Sequence, residues 1–175
     1  MRRIIASLAA AACLTGASLA ELSAGDAAAD FEVSGFQAGE PVTFHLADAL
    51  VDGPVVLFFF PAAFTSGCEI QAASFAESIA EFEALGAQVI GVTGGNTDRL
   101  ADFSTQHCAS AFPVFGIEDG MMSEYEARLM VRPGWTNRTT YVIAQDSTIA
   151  FTWSNMSPYD HVDQSLAALR SMDTP

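Results

Sequence analysis

Residues 29–33 (ADFEV) and 41–46 (PVTFHL) alternate apolar with polar positions, with Gly35 and Gly39 between them, and this pattern predicts an N-terminal β-hairpin with one buried face. Residues 55–60 (VVLFFF) do not alternate at all. A short, continuous run of β-branched and aromatic residues suits a central strand covered on both faces. Asp52, Gly53 and Pro54 turn the chain into that strand, and Pro61 ends it. Beyond it Phe75, Ile79 and Phe82 recur at spacings of four and three, the apolar stripe of a helix that runs to Gly86, a residue suited to a left-handed stop. Residues 88–93 (QVIGVT) predict a second buried strand, and Gly94, Gly95 and Asn96 turn it into a helix over 97–107 with Leu100 and Phe103 inward. A short third strand at 112–115 and a small amphipathic helix at 122–129 follow. A loop at 131–137 holds Pro133, Gly134 and Trp135. Residues 138–144 and 148–153 form two strands joined by a turn at Gln145, Asp146 and Ser147, and a last helix spans 159–172.

The order is hairpin, then β-α-β-α-β-α, then β-β-α. It predicts an α/β fold in which a mixed central sheet is covered by helices on both faces, with one domain over residues 21–175 and no internal repeat. A cysteine in the first turn after the central strand would lie at the carboxyl end of that strand, where open α/β sheets place their ligands.

Composition adds two things. Half of the 175 residues are hydrophobic, enough for a sizeable core without a disulfide framework. Residues 1–20 read as a cleavable export signal: Arg2 and Arg3 supply the charged start, 4–14 the apolar run, and Ser18, Leu19 and Ala20 a small-residue cleavage site that leaves Glu21 first. The run is shorter than the roughly 20 residues of a spanning helix. Export, in a bacterium to the periplasm, is therefore expected, with no membrane association after cleavage. Lipidation at Cys13 is the weaker alternative, because Ala10 stands where a leucine belongs.

Charge and missing residue types exclude several classes. Loss of Arg2 and Arg3 takes the formal charge from −14 to about −16, which argues against nucleic acid as a partner. The sequence has no lysine, which excludes a Walker A phosphate loop, a Schiff-base mechanism and a serine-lysine dyad. Cys68 and Cys108 remain as an even pair in an exported chain, where a disulfide can form and persist.

The candidate chemistry lies in residues 55–71, VVLFFFPAAFTSGCEIQ. Ser66 and Glu69 give the serine-x-x-glutamate spacing of a capping box, with Ser66 as N-cap and Cys68 in the first helical turn. The positive end of a helix dipole favours thiolate over thiol there, and the thiolate is the nucleophilic form; Glu69 acts in the opposite direction. Thr65 offers a hydroxyl one turn earlier, while Phe60, Ala62, Ala63 and Phe64 make apolar walls. Such a site can hold a thiolate beside a small oxygen substrate, and oxidation by a peroxide yields a sulfenic acid. A buried, inert cysteine is the competing reading.

The same residues carry a resemblance. Pro61-x-x-x-Thr65-x-x-Cys68 is similar to the signature of the peroxiredoxins, the alkyl hydroperoxide reductase and thiol-specific antioxidant family, and the chain most resembles the bacterioferritin-comigratory type. Asp26 to Glu32 resembles the family's entry segment with alanine in place of proline, and Arg138 to Ile143 resembles its arginine strand. The resemblance runs from Ala24 to the C-terminal helix. It implies a thioredoxin-like fold and a thiol-dependent peroxidase acting on hydrogen peroxide or organic hydroperoxides. Cys68 would be the peroxidatic nucleophile, Thr65 would hydrogen-bond the peroxide, Pro61 would shield the sulfenic acid and Arg138 would hold the thiolate. A guanidinium keeps its proton, so it can stabilise the thiolate and the charge on the leaving oxygen without taking part in proton transfer. No cofactor or metal is implied. The chain would be a monomer or homodimer regenerated by a thioredoxin-like or other thiol reductant.

Two departures stand out. Gln71 occupies a position where many relatives have glutamate, so a polar contact survives but a negative charge is lost. Ala73 occupies the place of one subgroup's resolving cysteine, which leaves Cys108, at the end of the second predicted helix, as the resolving candidate; a structural thiol or a fixed disulfide are the other readings of it. Other functions fit less well. A thiol-disulfide oxidoreductase would need a second cysteine at position 71, and a copper-handling protein of the same fold would need a close cysteine pair and a placed histidine. His45, His107 and His161 show no ligand spacing and read as surface or capping residues, with His107 notable for its neighbour Cys108. A thioredoxin-fold binding module without catalysis is the remaining alternative.

Overall fold

The computed structural model describes residues 21–172. The proposed export segment, with Cys13, lies outside these residues. Seven strands form one mixed sheet in the order β2-β1-β5-β4-β3-β6-β7. They are β1 (Glu32–Gln37), β2 (Glu40–His45), β3 (Val55–Phe59), β4 (Gln88–Thr93), β5 (Val114–Gly116), β6 (Thr139–Ile143) and β7 (Ile149–Ser154). The β3, β4 and β5 strands run parallel, while β1 and β6 are antiparallel to their neighbours β5 and β3. Among the described residues no helix is long and apolar enough to cross a membrane.

The unbroken apolar run of β3 has a direct structural cause. Val56, Phe58 and Phe60 point into one core with Phe75, Phe82, Leu100, Phe103, Leu166 and Leu169. Val55, Leu57 and Phe59 point into the opposite core with Leu46, Leu50, Met122, Tyr125 and Tyr141. Successive strand side chains alternate between faces, so a strand covered on both sides needs an apolar residue at every position. On the first face Phe58 stacks on Phe75 at 4.3 Å between ring centroids. Full burial of each such side chain contributes on the order of 1.5–3 kcal/mol.

The helices are α1 (Leu46–Asp52), α2 (Ser66–Glu77), α3 (Ile79–Ala84), α4 (Leu100–Gln106), α5 (Asp119–Glu124) and α6 (His161–Met172), with a 3-10 turn at Thr97–Arg99 before α4. Several differ from expectation. The predicted helix after Cys68 is two helices, because the chain breaks at Ser78, whose carbonyl accepts from the Glu81 amide at the start of α3. Phe75 and Phe82 still meet across the break, their rings 5.7 Å apart. Helix α1 follows the hairpin directly where only a turn was expected. Its start is held from a distance: Asp30 Oδ1 accepts from the Ala47 amide at 3.0 Å, and Asp30 Oδ2 lies 2.9 Å from His45 Nε2. The predicted helix at 122–129 lies earlier, at α5, and Glu126 with φ of 48° ends that turn.

Candidate active site

Cys68 is seated by two connected pieces of backbone. Residues 61–65 carry the chain from the end of β3 to α2, and Phe64 in that loop has φ of 56°, an unfavourable left-handed conformation for a bulky side chain. Packing holds it there. The Phe64 ring meets Phe103 and His107 edge-on, and the Arg99 guanidinium lies 4.3 Å from its centroid. The turn after β4 stitches the loop from the other side: Ala63 N donates to Gly95 O at 3.1 Å, and Asn96 Nδ2 donates to Ala63 O at 2.9 Å. A β-carbon on Gly95 would come within 2.5 Å of Pro61 O, so only glycine permits this approach.

The start of α2 differs in detail from the expected capping box. Thr65, in extended conformation, is the N-cap, and Ser66 is the first helical residue; no side chain caps the helix. Cys68 therefore does lie in the first turn, with its amide donating to Thr65 O at 2.9 Å. The Thr65 hydroxyl turns back and donates to Ala62 O at 3.0 Å. That leaves its oxygen lone pairs to accept from a substrate O–H. Glu69 does not close a box; its Oε1 lies 3.5 Å from His107 Nε2, joining α2 to the end of α4.

Arg138 enters from the residue before β6. Its Nη2 donates to Cys68 Sγ at 3.5 Å, Nη1 to Gln71 Oε1 and to Gly67 O at 3.3 Å, and Nε to Met156 O at 3.0 Å. Arg138 is only 4% exposed, and Cys68 and Gln71 are fully buried. Gly67 makes room, because a β-carbon there would lie 3.1 Å from Nη2. The structure thus brings Arg138 onto Cys68 and places Pro61 and Thr65 in the loop that joins the C-terminal end of β3 to α2. Gln71 keeps its polar contact to the arginine as the sequence suggested.

His161 is the residue that sequence reasoning passed over. It is no surface histidine: it is fully buried at the start of α6. Nε2 donates to Asn155 O at 3.0 Å, which leaves Nδ1 to accept from the Thr140 hydroxyl at 2.8 Å. The adjoining Met156 carbonyl is the one that receives Arg138 Nε, and the Asn155 amide donates to Arg138 O at 3.1 Å. His161 therefore fixes the segment that holds the arginine. Burial, with the nearby Arg138 charge adding, pushes its pKa down. Its only sequence signal was the histidine itself, four residues after Ser157 and separated from the arginine strand by a hairpin.

Cys108 sits in the turn after α4, fully buried in the same core as Cys68, and both are free thiols. Burial pushes the Cys108 thiol far up. The next two residues, Ala109 and Ser110, both have left-handed φ values, 46° and 61°. The methionines divide: Met122 is core, while Met130 is largely exposed.

Comparison with known proteins agrees with the geometry. The AhpC/TSA family model matches residues 24–152. A Mycobacterium tuberculosis protein described as a peroxiredoxin is 33% identical over 159 residues, which span 85% of this chain and 96% of that one. Chloroplastic peroxiredoxin Q of Arabidopsis thaliana is 30% identical over 169 residues, 90% of this chain and 72% of its own. The crystal structure of peroxidoxin BcpB from Mycobacterium tuberculosis superposes with a TM-score of 0.76 at 32% identity, covering 87% of this chain and 99% of that one. The expected thioredoxin-like fold is thereby established, and the chain belongs to the AhpC/TSA family as a peroxiredoxin, an oxidoreductase of the thiol-dependent peroxidase class.

Proposed function

We propose that this protein reduces hydrogen peroxide or organic hydroperoxides through Cys68. The observation that carries the reading is the Arg138 Nη2 contact to Sγ, in a site walled by buried apolar residues at the start of α2. The Cys68 thiolate attacks one peroxide oxygen, the O–O bond breaks, sulfur is oxidised by two electrons to a sulfenic acid, and the departing oxygen takes a proton to leave as water or alcohol. Arg138 offers fixed donors to the charge that develops on the sulfur and the leaving oxygen, in a site where little water competes. The Thr65 oxygen accepts from the peroxide O–H and orients it. Pro61 closes the wall beside the sulfur and limits access of water to the oxidised state.

Regeneration in this reading runs through Cys108. Its thiolate attacks the sulfenic sulfur, the S–O bond breaks, the hydroxide that leaves takes up the proton released by the Cys108 thiol to become water, and the resulting disulfide is reduced by a thioredoxin-like dithiol on the exported side. Membership of the Cys68 core and the consecutive left-handed residues Ala109 and Ser110 support this, because strained backbone beside Cys108 lowers the cost of opening the turn that carries it. Opening would also relieve the burial that keeps this thiol protonated.

A sulfenic-acid-specific nucleophile added with one equivalent of peroxide tests the first step. Peptide mapping should place the adduct on Cys68. An adduct on Cys108 alone, or none while peroxide is consumed, would contradict the assignment.

A further inference from the structure

Asn155 O can only accept, so His161 Nε2 carries the ring proton and Nδ1 accepts from the Thr140 hydroxyl at 2.8 Å. Thr140 is fully buried, and among the described residues its Oγ1 has no second hydrogen-bond partner. This network is complete only while the imidazole is neutral. A proton on Nδ1 would force the hydroxyl to accept, and the hydroxyl hydrogen would then be buried without a partner.

The surrounding charges add to that cost. Arg138 lies on the β6 side, and His161 is the first residue of α6, where the helix dipole is positive. Strand β7 and residues 155–159 bring no charged group. Asp160 and Asp163 at the start of α6, with Glu77 of α2 across a shared cleft, are the carboxylates on the outer side, and all three are exposed to solvent. Cys68 lies beyond Arg138 and faces the guanidinium, not the ring. Burial is the largest influence on the imidazole and, with Arg138, outweighs the contacts with Asn155 and Asp160 that favour its charged form.

The segment that His161 holds is lightly tied. Among the described residues the hydrogen bonds that fasten 155–159 to the rest of the molecule run to Arg138 and His161, while those from Ser157 N to Asn155 Oδ1 and from Tyr159 N to Ser157 Oγ are internal. Met156 and Tyr159 are 52% and 61% exposed. Asp160, between this segment and α6, has φ of 69°, a left-handed conformation that a backbone shift would relieve.

We propose that His161 is a positioning residue that makes peroxide reduction acid-sensitive: in its neutral form it holds residues 155–156 against Arg138, and proton uptake at Nδ1 releases them. This rests on the reading of Cys68 as the nucleophile that Arg138 serves. The proton comes from solvent, and only hydrogen bonds are broken. Once the imidazolium turns towards water, Arg138 loses Met156 O from its Nε and the Asn155 amide from its carbonyl, so the guanidinium is no longer aimed at Sγ. Loss of the proton restores the clamp.

The test follows the second-order rate of hydrogen peroxide reduction by the full protein from about pH 7.5 to about pH 4.5, each variant set against its own rate at the upper limit. His161→Gln keeps a donor for Asn155 O and cannot titrate. Protonation of Cys68 is common to both proteins, so any difference belongs to His161. Wild type should fall about tenfold further than His161→Gln in acid, and reversibly, since one added proton gives a factor of about ten per pH unit below its midpoint. Parallel profiles would overturn the inference, as would an acid loss in wild type that coincides with loss of far-ultraviolet circular dichroism. A readout that needs no peroxide is hydrogen exchange of the Asn155 amide, which donates to Arg138 O. Its protection, corrected for the intrinsic effect of pH, should fall about tenfold in acid in wild type and in Cys68→Ser, and hold in His161→Gln. Unchanged protection in wild type would also overturn the inference. Should Cys68 prove not to react with peroxide, the reading of the nucleophile fails by itself, and exchange in Cys68→Ser still decides whether His161 releases the segment.

Discussion

Arg138 and Cys68 lie 70 residues apart in sequence, yet Nη2 of the arginine donates to Sγ of the cysteine at 3.5 Å. The contact is assembled by the sheet, because β3 and β6 are antiparallel neighbours, and one feeds α2 while the other begins just after Arg138. Four acceptors, three on α2 and one in the loop after β7, hold the guanidinium, and a planar fork is what that arrangement needs.

Arg138→Lys should therefore rescue little. An ammonium is a point charge that cannot reach Gly67 O, Gln71 Oε1, Met156 O and Sγ together. Both Arg138→Lys and Arg138→Gln should lower the second-order rate of peroxide reduction by about 10² to 10³, the usual cost of removing a fixed donor at a developing charge. Stopped-flow rates decide it; a lysine variant within threefold of wild type would show that charge alone suffices.

Gly95 offers a different lever. Alanine there would drive a β-carbon against Pro61 O at 2.5 Å and displace the loop that carries Thr65. Gly95→Ala should lose peroxidase activity by an order of magnitude or more while keeping its far-ultraviolet circular dichroism. Activity close to wild type would mean that the loop has more freedom than the packing of Phe64 suggests.

His161 links stability to pH. Burial lowers its folded pKa beneath the ordinary value of about 6.5. As pH falls below that ordinary value the unfolded chain takes up a proton that the folded one does not, so stability declines until pH passes the lowered folded value. Arg138 and Asp160 are the charged groups that act on it, the first opposing and the second favouring protonation. His45 works in the other direction: contacts with Asp48 and Asp30 raise its pKa, so its contribution is lost as pH rises. Urea midpoints of wild type minus those of His161→Gln isolate the buried residue. The difference should shrink from pH 7 towards pH 5, and a constant difference would contradict the assignment.

Cys108→Ser separates resolution from the first oxidation. The initial burst of peroxide consumption should be retained, and turnover with a dithiol protein reductant should drop about tenfold or more. Unchanged turnover in this variant would remove Cys108 from the cycle.

The sequence carried the sheet and the site unequally. The continuous apolar run of β3, the QVIGVT strand and the final hairpin were legible because strand patterning depends on nearest neighbours and burial. Helix α1 was not, since seven residues hold too few turns for a periodic signal and its start is fastened by Asp30 from β1's approach. The break at Ser78 was hidden because Phe75 and Phe82, seven apart, keep one stripe across two helices. Of the site, Cys68, Thr65 and Pro61 lie within eight residues and read directly. Arg138 was legible only through the family resemblance. The role of His161 depends on a loop closing back on Arg138, which no local pattern encodes.

The account rests on Cys68 as the reacting sulfur, and the most direct measurement is peroxide consumption by wild type and Cys68→Ser with excess dithiol. Wild type should turn over, and the serine variant should fall to the rate of the dithiol alone while remaining folded, because a hydroxyl in the same place is not ionised at neutral pH. Peroxide consumption by Cys68→Ser at the wild-type rate would contradict the account.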